Sequence, residues 1–175
     1  MNYDILICGV GGQNVQPYLD FFYKLAVKLG EHIYVDYKDG FSKERCSERY
    51  SIRIGSGFGD ILEGKADAVI CLEQLEAVKS RFFPKESGGM VVSKKRILPS
   101  SVLNGATEYP TDCMQKCVND CFKVFETEGE DYLLDCFLCI RIIGFEKEET
   151  VGMFKDDFGN PNSLLQAYQQ RYVKA

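Results

Sequence analysis

One histidine, His32, occurs in 175 residues. That scarcity excludes imidazole-based triads and metal centres that need several histidines. His32 opens an apolar segment, which fits a structural role. Positive charge is also in deficit: 21 Lys and Arg against 26 Asp and Glu give a net charge of −5 and a pI near 5.0. A nucleic-acid-binding domain needs a basic footprint to displace counterions, so that class is excluded. No apolar run approaches the length that spans a bilayer, and the N-terminus lacks a basic stretch followed by a long apolar segment and a cleavage site. A soluble, cytoplasmic protein is expected. Repeats, low-complexity tracts and linkers are missing too, and 45% hydrophobic residues are enough for an ordinary core. Residues 1–175 are expected to form a single domain.

Eight cysteines are present, none arranged like a secreted disulfide framework. Cys8, Cys71, Cys136 and Cys139 lie in apolar runs, where cysteine behaves as a small hydrophobe, and a reducing compartment suits them. Cys113, Cys117 and Cys121 recur at i, i+4 and i+8. A metal site needs sulfurs converging from separate elements, whereas one straight helix spreads the outer pair over about two turns. Core packing is the simpler reading, with Val124 and Phe125 continuing the same side. Cys136 and Cys139 read the same way.

What is present points to alternating strands and helices. Tyr3 to Cys8 is an apolar strand. From Pro17, residues Leu19, Phe22, Ala26 and Leu29 share a helical face, and Gly30 stops the helix. Strands are expected at His32 to Asp36, Tyr50 to Ile54, Asp67 to Leu72 and Gly89 to Val92. Helices are expected at Leu72 to Phe82, with Pro84 behind it, at Thr111 to Thr127, at Leu133 to Ile143 before Gly144, and at Asn162 to Val173. The continuous apolar run of Leu133 to Ile143 fits a buried strand or a buried helix, and helix is taken. The fold class is α/β: a three-layer, Rossmann-like domain with a mainly parallel sheet.

The first strand opens into Gly9-Val10-Gly11-Gly12-Gln13-Asn14-Val15. Clustered glycines between a strand and a helix let the backbone approach an anion, with helix-start amides pointing at it. As a dinucleotide fingerprint, Gly9-x-Gly11-x-x-Asn14 fails at its last position, although Asp36 stands where a ribose-binding acid would, roughly 20 residues on. Read with Asp39-Gly40-Phe41-Ser42, with Ser51-Ile52-Arg53-Ile54-Gly55 and with Gly64 to Ala77, the turn resembles the gamma-type subunit of 2-oxoacid:ferredoxin oxidoreductases. These are the enzymes of pyruvate, 2-oxoglutarate, 2-oxoisovalerate and indolepyruvate. Tyr109-Pro110 before a helix and the C-terminal helix extend the resemblance over most of the chain.

The resemblance implies a subunit, with independent catalysis not expected. Thiamine diphosphate, iron–sulfur clusters and coenzyme A serve the complex, the first two carried mainly by partner subunits, and this chain binds none of them alone. It implies thiamine-binding and ferredoxin-type partner subunits, no nucleic acid or membrane, and a homodimer when isolated. The candidate binding residues are Gly9, Gly11, Gly12, Gln13 and Asn14 in the turn, with Gly40, Ser42 and Arg45 in the second loop. No catalytic or metal-binding residue is assigned. Two departures fall on these loops: Asn14 and Pro17 replace the family's glycine and small apolar helix start, and Glu44-Arg45-Cys46 replaces an Arg-Gly-Gly pattern. Pro17 removes one backbone donor, Asn14 is a candidate cap, and side chains in place of two glycines restrict the loop.

Lys43, Arg49 and Arg53 add positive charge near Arg45, for a phosphate, for a partner's acidic surface, or as part of a solvated face with Glu44 and Glu48. Glu73 and Glu76 form either an acid–base pair or a helix-start pattern in which acids bond backbone donors. Tyr18, Phe21, Phe22 and Tyr23 cover a broad arc, part of it open to a partner subunit. Two other functions stay open: a diverged, non-catalytic assembly or regulatory protein on the same fold, and an independent nucleotide-binding protein.

Overall fold

The computed structural model describes residues 2–39, 46–144, 155, 159 and 161–170. Strand β1 (Tyr3–Val10) is the centre of the architecture. Its alternating residues point to opposite faces: Ile5 and Ile7 enter one hydrophobic cluster, Leu6 and Cys8 the other. The same alternation splits β4 (Ala66–Cys71) and β5 (Pro84–Ser93), with Ile70 and Val91 on one side, Cys71 and Val92 on the other. Strands buried on both faces need helices on both faces, and the sheet has them.

Helices α1 (Gln16–Leu29), α5 (Tyr132–Ile142) and α6 (Pro161–Gln169) cover the first face. Helices α2 (Gln74–Ser80) and α4 (Cys113–Asp120) cover the second. A short α3 (Ser100–Leu103) lies between β5 and α4. Strands β2 (Ile33–Asp39), β3 (Ser47–Ile54) and β6 (Lys123–Thr127) complete a six-stranded sheet of order β2-β3-β1-β4-β5-β6. β1, β4, β5 and β6 are parallel, while β3 runs antiparallel to both β1 and β2. The three-layer α/β fold with a mainly parallel sheet is therefore present as expected.

Gly30 ends α1 in the left-handed conformation at φ 67°, its N–H reaching the carbonyls of Ala26 and Val27. The run Leu133 to Ile143 is helical, and its nearly all-round burial under α1 and α6 explains why its periodicity was uninformative. The expected helix Thr111 to Thr127 requires correction. Helix α4 ends at Asp120, Cys121 is extended, and Lys123–Thr127 is the edge strand β6. Val124 and Phe125 therefore fall on opposite faces of the sheet, not on one helical stripe. β-branched and aromatic residues paired in parallel with β5 outweigh the helical spacing that precedes them. No helix among the described residues is long and apolar enough to cross a membrane.

Candidate functional site

Parallel strands deliver their C-terminal ends to one edge of the sheet, where loops gather and ligands of α/β proteins bind. A cleft of about 270 Å³ opens there. Gln13, Asn14, Pro17 and Tyr18 come from the turn and start of α1, Leu72 and Lys95 follow β4 and β5, and Gly129, Glu130 and Tyr132 lie between β6 and α5.

Within the turn, the fold itself uses several donors. Gln13 folds back so that its Oε1 accepts from the Val10 N–H at 2.8 Å, while its Nε2 donates to the Leu72 carbonyl at 2.9 Å. This side chain ties the end of β1 to the end of β4. The Gly11 N–H donates to the Cys46 carbonyl at 2.8 Å, and the Gln13 N–H to the Val10 carbonyl at 3.1 Å. A Cβ at Gly9 would lie 2.9 Å from Gln13 Oε1, so the glycine there makes room for the tie. The N–H groups of Gly12 and Asn14 keep no protein partner among the described residues. Gly12 adopts φ 94° with open space around its Cβ direction. Helix α1 starts behind Val15 without a side-chain cap and without an acid in its first turn, so Asn14 does not cap it. That helix end is open to negative charge.

Replacing Gln13 by alanine is expected to lower stability by about 2 kcal/mol, since it strands a partly buried donor and acceptor. Urea unfolding of the ligand-free chain measures this; an unchanged midpoint would remove the structural role from Gln13.

Lys95 brings a cation to the cleft, and no ion pair holds it among the described residues. Glu130 stands on the wall shared with α5, whose N-terminus is closed by Asp131 accepting from Leu133 N and Leu134 N. Behind the cleft, the Tyr18 hydroxyl donates to Asp135 Oδ2 at 2.8 Å. Asp135 is 1% exposed, and burial pushes its carboxyl above the ordinary range despite the hydrogen bond from Tyr18 and the nearby Thr127 hydroxyl. Its Oδ1 makes no well-formed hydrogen bond. The polar side of the cleft thus combines Lys95, open amides and an uncapped helix start, a set that accepts an anionic group.

Sequence reading missed Lys95, Glu130, Tyr132 and Asp135. The signal was the basic run Lys94-Lys95-Arg96 after an apolar strand, and it needed Lys123–Thr127 to be recognised as the neighbouring strand. Gly40, Ser42 and Arg45, together with Lys43 and Glu44, lie outside the described residues. Arg49 and Arg53 are committed to the fold: Arg49 bonds Asp60 at 2.7 Å, and Arg53 bonds Asp4 at 3.1 Å as well as the carbonyls of Gly59 and Asp60. Asp36 lies on the outermost strand, with β3 standing between it and β1, so it does not flank the glycine turn.

Glu73 and Glu76 follow the helix-start pattern. Glu73 is fully buried, caps α2 by accepting from Glu76 N at 2.9 Å, and also accepts from Ile97 N and the Tyr109 hydroxyl. Glu76 accepts from Ser47 and Lys79. Tyr109 of the Tyr-Pro pair therefore fastens the segment after β5 to α2. Cys113, Cys117 and Cys121 are buried, and desolvation pushes the Cys117 thiol up to about 12, away from the thiolate that a metal needs. Cys136 and Cys139 are buried in the opposite cluster with thiols likewise raised by burial. Tyr18, Phe21 and Phe22 are buried, leaving only Tyr23 of that aromatic group exposed.

No protein-family model matches the chain. It is 32% identical over 123 residues to the indolepyruvate oxidoreductase subunit IorB of Thermococcus kodakarensis, covering 69% of this chain and 61% of that one. The chain spans 55–61% of the length of the curated relatives it matches. In fold it is similar to the pyruvate oxidoreductase subunit PORC of Thermotoga maritima, at a TM-score of 0.60 and 15% identity, covering 95% of this chain and 90% of that one. The gamma subunit of a keto/oxoacid ferredoxin oxidoreductase from Geobacter sulfurreducens gives a TM-score of 0.56 at 14% identity, with 97% and 91% covered. The resemblance carried by the motifs is thus found twice over: the chain is a relative of the IorB subunit in sequence and has the fold of oxidoreductase gamma subunits.

Proposed function

We propose that the chain acts as a subunit of a thiamine-diphosphate-dependent 2-oxoacid:ferredoxin oxidoreductase, where it shapes the coenzyme A or substrate side of a site completed by partner subunits. The observation that carries this reading is the sequence similarity to IorB over 69% of the chain. Because the curated relatives are indolepyruvate oxidoreductase subunits, an aryl 2-oxoacid is the first substrate to test. The reaction is an oxidative decarboxylation, for which thiamine diphosphate supplies the carbanion-stabilising chemistry when bound to its partner subunit.

The residues of this chain fit one of the implied groups and not another. Lys95, the free amides of Gly12 and Asn14 and the uncapped start of α1 suit a phosphate-bearing group such as coenzyme A. Gly9, Gly11 and Gln13 build the turn that presents those amides, and Gly40, Ser42 and Arg45 belong to the proposed site through the family resemblance. The cysteines do not suit an iron–sulfur cluster, since seven of the eight are buried, six of them inside the two hydrophobic clusters, and no metal-binding group of three or more ligand side chains occurs among the described residues.

The chain is expected to co-purify from native extract with a thiamine-binding subunit. In that complex Lys95→Gln should raise the KM for coenzyme A about tenfold, the loss of one charge-assisted contact. Gly12→Val should act similarly by crowding the open turn. Steady-state viologen reduction at varied coenzyme A measures both. Co-purification with turnover indifferent to either change would favour the non-catalytic assembly protein.

A further inference from the structure

The sheet ends at β2, and the outer side of that strand has no partner strand among the described residues. Gly55 N–H donates to the His32 carbonyl at 2.8 Å, in register with the pairing of β2 and β3. In an antiparallel ladder this directs the even-numbered backbone groups of β2 toward β3 and the odd-numbered ones outward. The outward N–H and C=O groups of Ile33 and Val35 are therefore unpaired among the described residues. Natural edges are usually blunted by proline, a bulge or an outward lysine. Here the strand reads Ile-Tyr-Val-Asp-Tyr-Lys-Asp, without proline, and its lysine, Lys38, is engaged with Asp60 at 2.5 Å. Tyr34, Val35 and Tyr37 stay 41–46% exposed.

We infer that β2 pairs with β2 of a second copy of this chain, antiparallel across a twofold axis at Val35, to give a continuous sheet through the dimer. The strand is self-complementary in that register. Val35 lies opposite its own copy, and Ile33 lies opposite Tyr37 in both directions, so the face carrying Ile33, Val35 and Tyr37 meets apolar against apolar. On the reverse face Tyr34 lies opposite Asp36. An axis at Asp36 would set two carboxylates against each other, an axis at Tyr37 would set Val35 against Asp39, and an axis at Tyr34 would pair only Ile33 to Val35 within the strand, so the axis at Val35 gives the longest pairing within β2 that sets no carboxylate against another or against Val35. Val35 is cross-strand from Ile52, on the sheet face that α1 covers.

A charge pair at the axis tests the pairing by sedimentation of the full chain over a dilution series. The wild type should run at twice its 19.8 kDa mass. Val35→Lys and Val35→Glu each place like charges opposite on the axis and should run as monomers that keep the wild type's far-ultraviolet circular dichroism, since Val35 is half-exposed in the single chain. Mixing the two variants should restore a dimer, because Lys then faces Glu. A monomeric wild type, a dimer that survives either change, or a mixture that stays monomeric would overturn the proposal. So would a wild-type monomer that binds an oxidoreductase partner subunit through β2. The sedimentation outcomes are read on this chain alone and do not depend on the oxidoreductase reading.

Discussion

Replacing Gly89 by alanine is expected to destabilise the chain by about 3 kcal/mol. A Cβ at this position would lie 2.6 Å from the Lys123 carbonyl oxygen and 2.7 Å from its Cβ, on the paired strand β6, and 3.3 Å from the Ile142 side chain. Two of these three neighbours cannot be relieved by turning a flexible side-chain end: one is backbone, and the other is fixed to it. β6 would have to move outward, carrying Val124 and Phe125 out of the two hydrophobic clusters that they join. A domain is stable by only about 5–15 kcal/mol, so the loss should appear as a large drop in the urea midpoint. A shift within error would mean that β6 is not held against β5 in the register described.

The second large effect concerns Asp135 and pH. Burial raises its carboxyl in the folded chain, so the native state binds the proton more tightly than the unfolded state does. Its contribution to stability is therefore complete below the ordinary carboxylate value of 3.8 and is lost as pH rises through the elevated native value. Asp135→Asn removes this loss, keeps an acceptor for the Tyr18 hydroxyl, and should gain on the wild type progressively from pH 4 toward neutrality. Asp60 acts in the opposite sense. Burial alone would raise it, but hydrogen bonds from Lys38 and Ser51 and the charge of Arg49 hold it below 3.8, so its contribution is lost on acidification. The wild-type-minus-variant difference in unfolding free energy isolates Asp135, because Asp60 is common to both chains. Parallel profiles would show that the Asp135 carboxyl binds its proton equally well in the folded and unfolded chain. Tyr18→Phe, which strips one partner from the buried carboxyl, should cost about 2 kcal/mol at neutral pH.

Much of the frame was legible in the sequence because single residues carried it. The apolar strand into glycines predicted β1 and its turn, Gly30 predicted the end of α1, alternation predicted β3, and a continuous apolar run predicted β4. The edge of the sheet was harder. Lys123–Thr127 follows directly on a helical cysteine stripe, and no local spacing reveals that its partner is β5, some thirty residues earlier. That one misreading hid half of the cleft, since Gly129 and Glu130 are site residues only when a strand ends just before them. Gln13 shows the complementary limit. Its type and place in the glycine turn suggest a ligand contact, yet both ends of its amide are used by Val10 and Leu72, and only distances disclose that. The same holds for Arg49 and Arg53, whose charges are held by Asp60 and Asp4.

The decisive measurement is 2-oxoacid-dependent viologen reduction by the thiamine-binding partner subunit, assayed with and without this chain and with indolepyruvate as the first substrate. A working subunit of the oxidoreductase predicts turnover that appears only when the chain is added and saturates at a one-to-one ratio. Full turnover by the partner alone, or no association between the two, would contradict it.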